Sequence, residues 1–413
     1  MNFRRYLIYF FLILIFIFPF GLVYGEIEFS GFFDNYYGLR TAAPYDFLSS
    51  RTRFRGDCLI GLEKISFNLS VEATRNNITK PSFETDIREA YLQYPFKNGE
   101  LRLGRQIILW GNGERVRVTD IVSPFDLREY QTGDYHDIRL GVDALQLKLF
   151  INNLKFEFIW VPFFRSSRLP SAGDPWYYGD FNWFDTRGRP VIITEPSGFT
   201  GSSEFFGKIS AYMAGIDVSF LVFSSLNDVP SLVQTGVDGE NERGLLYEGK
   251  FSRLNGGGFE FSKAWDFIVF RGELIYIKGL PLGNAGQPAV FAEGGIVKWL
   301  AGMDIFLRSE LTISLQFLNY FISEKNKTEV ELSDNKIGSL IITKKFFRGV
   351  LSLYNITYVS LKGKDLYNRL KLDFALIDEF HVILGADIFS GDGPVFGRYG
   401  KNSQFWVKFK YIF

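Results

Sequence analysis

The segment 402–413, NSQFWVKFKYIF, has a strict two-residue period. Phe405, Val407, Phe409, Tyr411 and Phe413 fall on one face, and Gln404, Trp406, Lys408, Lys410 and Ile412 on the other. Side chains alternate in this way along an extended strand. A strand of about ten residues, apolar on one side and polar on the other, can cross a bilayer as a tilted member of a closed barrel.

The pattern recurs upstream. LYNRLKLDFAL sets Leu370, Leu372, Phe374 and Leu376 against Arg369, Lys371 and Asp373. FHVILGADIF sets Val382, Leu384, Ala386 and Ile388 against His381, Gly385 and Asp387. IVKWLAGMDIF and ELTISLQFLNYF do the same, with Lys298, Asp304 and Gln316 on their polar faces. Composition agrees: aromatics make up 18% of the 413 residues, with 45 Phe and 21 Tyr. Yet mean hydropathy is close to zero, as a sheet with one apolar and one polar face requires.

Between these strands, short and long connections alternate. Tight turns at Glu63-Lys64, Asn152-Asn153, Gly215, Trp265-Asp266 and Asp378-Glu379 take turns with long links near 109–137, 165–202, 226–249, 280–292 and 324–334. The alternation predicts an all-β fold, a transmembrane antiparallel up-and-down barrel of about 18 strands, or about 16 or 20 if one hairpin is misread. With both ends periplasmic, the long links lie at the outer side.

The first residues, MNFRRYLIYFFLILIFIFPFGLVYG, have the layout of a secretory signal: Arg4 and Arg5, a short apolar core, then small residues before Glu26. Cleavage there would leave 388 residues, 413 less 25, and take the formal charge from 0 to −2. Bulk charge therefore gives no case for nucleic acid. Cys58 is the only cysteine and His136 and His381 the only histidines, so no His/Cys zinc constellation exists and no cofactor is expected. No G-x-S-x-G elbow appears, and no enzyme is expected. The glycine-rich stretches at Gly256 and Gly391 sit in a strand and a hairpin loop, where neither opens a helix as a phosphate cradle must. In GDYHDIR, His136 lies between Asp134 and Asp137, the weak basis for a rim hydrolase.

Strand parity places Arg51, Arg53, Arg55, Arg271, Glu273, Lys298, Asp304, Arg369, Lys371, Asp373, Lys408 and Lys410 on the lumen side. Closure of the last strand on the first would gather Arg51–Arg55, Arg369, Lys371, Lys408 and Lys410 into a mainly basic wall, which favours anions. The stretch from Gly111 to Asp137 has no strand period and carries Glu114, Arg115, Arg117, Asp120, Asp126, Arg128 and Glu129. Its mixed charges can satisfy one another inside the barrel, so it is expected to fold inward and narrow the lumen. The alternative is a solvated outer loop. Trp110 is read as an interfacial aromatic at a strand end. The 165–202 link mixes Trp176, Tyr177, Tyr178, Trp183 and Phe184 with Asp174, Asp180 and Asp185, a mini-core over the barrel mouth or a sugar-binding surface.

Three stretches carry a resemblance: LRLGRQIILWGNGERVRVTDIVSPFDLREY, GGFEFSKAWDFIVFRGELIY and FHVILGADIFSGDGPVFGRYG. They resemble a family of uncharacterised porin-like outer-membrane barrels, distantly similar to the alginate-export porin. Its most specific element runs from Gly104 to Asp126. The resemblance implies a transport barrel and names no solute. The expected role is thus a channel in the outer membrane of a Gram-negative bacterium, passing polar solutes, with anionic and carbohydrate-like ones as candidates. Its expected partners are outer-membrane lipid and the barrel-assembly machinery, the latter through the strand ending at Phe413, with a homo-oligomer possible. The rival role is a barrel whose outer loops bind a surface glycan or another partner.

Overall fold

The structure is a computed structural model, and it describes residues 26–129, 135, 137–177, 191–237, 245–282, 290–291, 295–322 and 336–413. The signal-like segment, His136 and Asp134, and Tyr178, Asp180, Trp183, Phe184 and Asp185 lie outside the described residues. Eighteen strands form one antiparallel sheet. The first nine are β1 (Glu26–Arg40), β2 (Phe47–Gly61), β3 (Ser66–Asn76), β4 (Phe83–Phe96), β5 (Gly99–Gln106), β6 (Val142–Ile151), β7 (Leu154–Val161), β8 (Glu204–Met213) and β9 (Ile216–Leu226). The others are β10 (Arg253–Trp265), β11 (Ile268–Lys278), β12 (Ile296–Leu307), β13 (Leu311–Ile322), β14 (Ile337–Phe346), β15 (Leu351–Ser360), β16 (Asp365–Ile377), β17 (Phe380–Ser390) and β18 (Gln404–Ile412).

Each strand pairs with its sequence neighbour. β18 then pairs with β1, in a register that runs from Phe32 opposite Ile412 to Arg40 opposite Gln404. The amide and carbonyl of Gly31 exchange hydrogen bonds of 2.9 and 3.1 Å with Phe413 and seal the seam. The cylinder is closed, so none of its eighteen strands is an edge strand. The strand number and the alternation of turns agree with the sequence. Asn152, Ala214 and Asp266 take φ of 52°, 51° and 54° at tight turns of one end, as two-residue hairpins require.

The strict alternation is visible in exposure. On β9, Phe220 and Val222 are 60% and 66% exposed on the outer face, while their neighbours Ser219 and Leu221 are buried inside. Phe405, Leu274 and Ile388 likewise face outward. This apolar skirt is stable only against hydrocarbon, because water around so many exposed large side chains is costly. No helix among the described residues is long and apolar enough to cross a membrane.

The inner face is knitted by charge pairs between residues directly opposite on neighbouring strands. Asp34 meets Arg53 at 2.6 Å, Arg55 meets Glu72 at 2.6 Å, and Arg369 meets Asp387 at 3.1 Å. Such cross-strand pairs fix the register as well as hold charge.

A cation at mid-height on the outer face should be far costlier than a polar change inside. Phe220→Arg should lower unfolding stability by about 2–4 kcal/mol in lipid. Urea unfolding of the lipid-folded barrel checks it, and an unchanged midpoint would contradict the lipid-facing assignment.

Candidate functional site

Residues 107–141 leave β5 and return to β6, and the described ones among them form isolated bridges but no strand. Such a segment brings a row of backbone N–H groups that must find acceptors. They find them on the inner wall. The Asn112 and Gly113 amides both donate to Glu273 Oε1, and the Thr119 amide and hydroxyl donate to Glu273 Oε2 at 3.0 and 2.8 Å. Gly111 donates to Glu260 Oε1 at 3.2 Å, and Lys208 reaches the other oxygen of that carboxylate at 2.5 Å. Gln316 closes the set: its Oε1 accepts from the Glu114 amide at 2.8 Å and its Nε2 donates to the Glu114 carbonyl at 3.0 Å. Gly111 has φ +87°, and a Cβ there would meet Thr119 Oγ1 at 3.0 Å and Glu273 Oε1 at 3.2 Å, so this tight approach requires glycine.

An apolar ledge lies above these carboxylates. Ile108, Trp110, Val118 and Val122 of the inserted segment pack on Ile159, Phe206, Leu221, Phe223, Ile275 and Leu300, which point inward from the wall. Burying a large apolar side chain contributes roughly 1.5–3 kcal/mol, so the ledge and the hydrogen bonds act together. Trp110 is therefore not at an interface with lipid. It is buried in the barrel, donates from its indole nitrogen to Glu157 Oε1 at 3.3 Å, and meets Phe206 edge-on. The reason is that β5 ends at Gln106, four residues before Trp110, and the chain turns inward at once.

The second half of the segment reaches the opposite side of the ring. Glu129 pairs with Arg51 on β2 at 2.6 Å and accepts from Asn76 of β3 at 3.0 Å. Asp137 lies 3.0 Å from both Arg53 and Arg55, and Arg128 joins Asp126 to Glu84 of β4. Arg139 and Asp120 form a buried pair within the segment. Burial opposes ionisation of Asp126, but the hydrogen bond and charge of Arg128, with Arg168, hold its carboxyl below the usual range. Burial pushes the Asp228 carboxyl up, against the pull of Arg117 2.7 Å away.

The lumen charges expected from parity thus reach two different fates. Arg51, Arg53, Arg55 and Arg369 are matched by acids, as is Arg271 by Asp304 at 2.7 Å. Lys371 lies 3.8 Å from Asp373, which also contacts His381 at 2.7 Å. Lys410 stands over the Phe32 ring, and Lys408 is buried opposite Tyr36. The wall is not a run of bare cations, because Asp34, Glu72 and Asp387 are interleaved with the bases. Glu273 serves the inserted segment's backbone rather than the open lumen. Lys298 lines a cavity of about 120 Å³ together with Arg117 and Asp228. Sequence reasoning passed over Glu157, Glu260 and Gln316 as anchors, although their inward parity could have singled them out.

Two further cavities flank the segment, and their chemistry differs. One, about 80 Å³, lies against β2–β4 and is lined by Arg51, Arg53, Arg88, Arg128 and Arg168 with Glu72, Glu84, Asp86, Asp126, Glu129 and Asp137. The other, about 430 Å³, lies between the segment and β13–β16. Its lining includes Arg115, Arg117, Arg369 and Arg398 and, among the described residues, no acid. The Arg115 carbonyl accepts from Tyr358 at 3.3 Å, which ties the segment to the far side of this chamber. Trp176 from the 165–202 link is buried at its rim, against Phe389 and Tyr399.

The chain belongs to the family described as "Protein of unknown function (DUF1302)", which it matches over residues 72–296, and so across the whole inserted segment. None of the curated proteins matches it in sequence. Among solved structures it is similar to Acinetobacter baumannii OccAB2, at 10% identity and a TM-score of 0.56 over 94% of this chain and 98% of that one. It is also similar to Pseudomonas aeruginosa OccD3, at 9% identity and a TM-score of 0.54 over 95% of this chain and 92% of that one. A. baumannii OccAB3 follows at 12% identity and 0.53, over 94% and 99% of the two chains. At such low identity the likeness to these outer-membrane porins shows the fold. The alginate-export likeness has no counterpart among them.

Removing the carboxylate charge at the anchor should release the segment while leaving the barrel closed. Glu273→Gln puts an amide N–H against backbone donors, and should cost about 1–3 kcal/mol and open 107–122 to protease. Limited proteolysis of the folded barrel checks this, and an unchanged cleavage pattern would contradict the anchoring role. The β2–β4 side should respond to acid. Since the Asp126 pKa is depressed on folding, its contribution is complete above the unfolded value of about 3.9 and is lost as pH falls through the lower folded value. Protease sensitivity near 126–129 should rise only in that acid window, and a rise near neutrality would contradict the assignment.

Proposed function

We propose that this member of the family is an outer-membrane channel of a Gram-negative bacterium, with the 111–137 segment as its constriction. The observation that carries this reading is the 430 Å³ chamber left between the inserted segment and the β13–β16 wall. The segment narrows the barrel without filling it. A closed barrel with an apolar skirt and a polar interior is built to sit in lipid and hold water. The solutes are small organic compounds, anions foremost: Arg115, Arg117, Arg369 and Arg398 line the passage beside the constriction, and among the described residues no carboxylate does. Diffusion is the mode of passage, governed by the width of the chamber and the charge around it. In this reading the strand that precedes Phe413 also supplies the aromatic end recognised by the barrel-assembly machinery.

Purified, folded protein should give stepwise conductance in planar bilayers. Joining Gly111 directly to Thr119 should raise the conductance by a factor of about two or more, as a wider opening carries more ions. Equal conductance would remove the segment as the constriction, and silent bilayers would contradict the channel itself. Under a salt gradient, Arg115→Glu with Arg398→Glu should move the reversal potential toward cation preference. An unmoved potential would take these arginines off the permeation path.

A further inference from the structure

Lys298 stands on the inner face of β12, opposite Ile275 of β11 and Tyr320 of β13. Other bases of this inner face meet acids: Arg53 meets Asp34, Arg271 meets Asp304 and Lys208 meets Glu260. No acid among the described residues pairs with Lys298, and the charge that acts on it is that of Arg117, a second cation. A half-buried ammonium that faces a guanidinium is costly unless an anion stands between them.

The two cations meet at the cavity of about 120 Å³ that the inserted segment leaves against β9–β12. Arg117 is held there from the segment's side. Its guanidinium pairs with Asp228 at 2.7 Å, donates to the Asp120 carbonyl and stands over the Phe125 ring. Asp228 is thereby engaged, and Asp120 is engaged by Arg139. Among the described residues the lining therefore holds two cations and one acid, and one negative charge would complete it. Ser225, buried on β9, adds a hydroxyl to the polar side.

The rest of the lining is aliphatic, with Val118 and Ile121 of the segment facing Leu254, Ile277 and Leu280. Water occupies about 30 Å³ per molecule in the liquid, so the cavity has room for roughly four waters, or for a carboxylate on a short alkyl chain. A carboxylate has lone pairs enough to accept from an ammonium and a guanidinium together. Its chain then finds the aliphatic side, which a bare inorganic ion would leave unused.

We propose that this cavity binds one short-chain monocarboxylate, clasped between Lys298 of the wall and Arg117 of the inserted segment. The bound anion bridges the two, so its binding holds the segment more firmly to β9–β12. The site needs the fold alone and does not rest on the channel reading.

The test is hydrogen exchange of the 115–122 amides in the lipid-embedded barrel, with butyrate, butyramide or chloride added to a sulfate buffer. At ten times its half-saturating concentration, butyrate should slow this exchange about ten-fold, as a ligand bound only by the docked segment protects in proportion to its saturation ratio. Butyramide and chloride should leave it unchanged. Equal slowing by butyramide would overturn the role of charge, and equal slowing by chloride would overturn the carboxylate class. Lys298→Met should abolish the butyrate effect. So should Leu280→Trp, which fills the cavity and leaves both cations in place. Retention of the effect in either variant would overturn the site, as would no slowing at about 100 mM butyrate. Equal slowing along β2–β4 would mark a general action of the salt and overturn it too. Silent bilayers beside intact butyrate protection would remove the channel reading and support this site.

Discussion

An irregular backbone cannot lie inside a barrel unless something there accepts its N–H groups. Most of this molecule's internal arrangement follows from that requirement. The strands have used their own amides around the ring, so the acceptors come from wall side chains. Glu273 takes four donors, Glu260 and Gln316 take their neighbours, and a salt-bridged rim on β2–β4 holds the far end. A carboxylate suits this work because it has several lone-pair sites and no donor of its own to clash. Its cost of burial is offset only when those sites are filled.

The same device appears a second time. The glycine-rich GDGPVFGRYG stretch resembles a phosphate cradle superficially, and its amides do converge on an anion. The anion is the protein's own Asp365. In both places a wall carboxylate fixes a segment outside the strands by accepting its backbone amides. Between the two fixed segments lies the chamber, with Arg115 on one and Arg398 on the other.

The barrel was legible in the sequence because its period is local: each outward Phe or Leu is separated from the next by one inward residue, and turn residues mark the strand ends. The contacts of the inserted segment were not, because they join positions far apart in the chain. Arg51 meets Glu129 across 78 residues, and Glu114 meets Gln316 across 202. The acids interleaved with the basic wall escaped notice for a related reason. Counting bases along selected strands left out Asp34, Glu72 and Asp387 on the strands beside them. Trp110 was misplaced because a strand's end was set by hydropathy rather than by where pairing stops. One signal was available and went unused. Runs such as FLVF on β9 and FIWV on β7 are apolar on both faces, which a water-lined strand has no reason to be. They mark the inner surface that Trp110 and Val118 cover.

The claim that the wall holds the segment within the barrel is tested most directly by hydrogen exchange of the Asn112, Gly113 and Thr119 amides in the lipid-embedded protein. Protection approaching that of the barrel strands is the expected result. Exchange as fast as in the exposed outer loops would contradict the account.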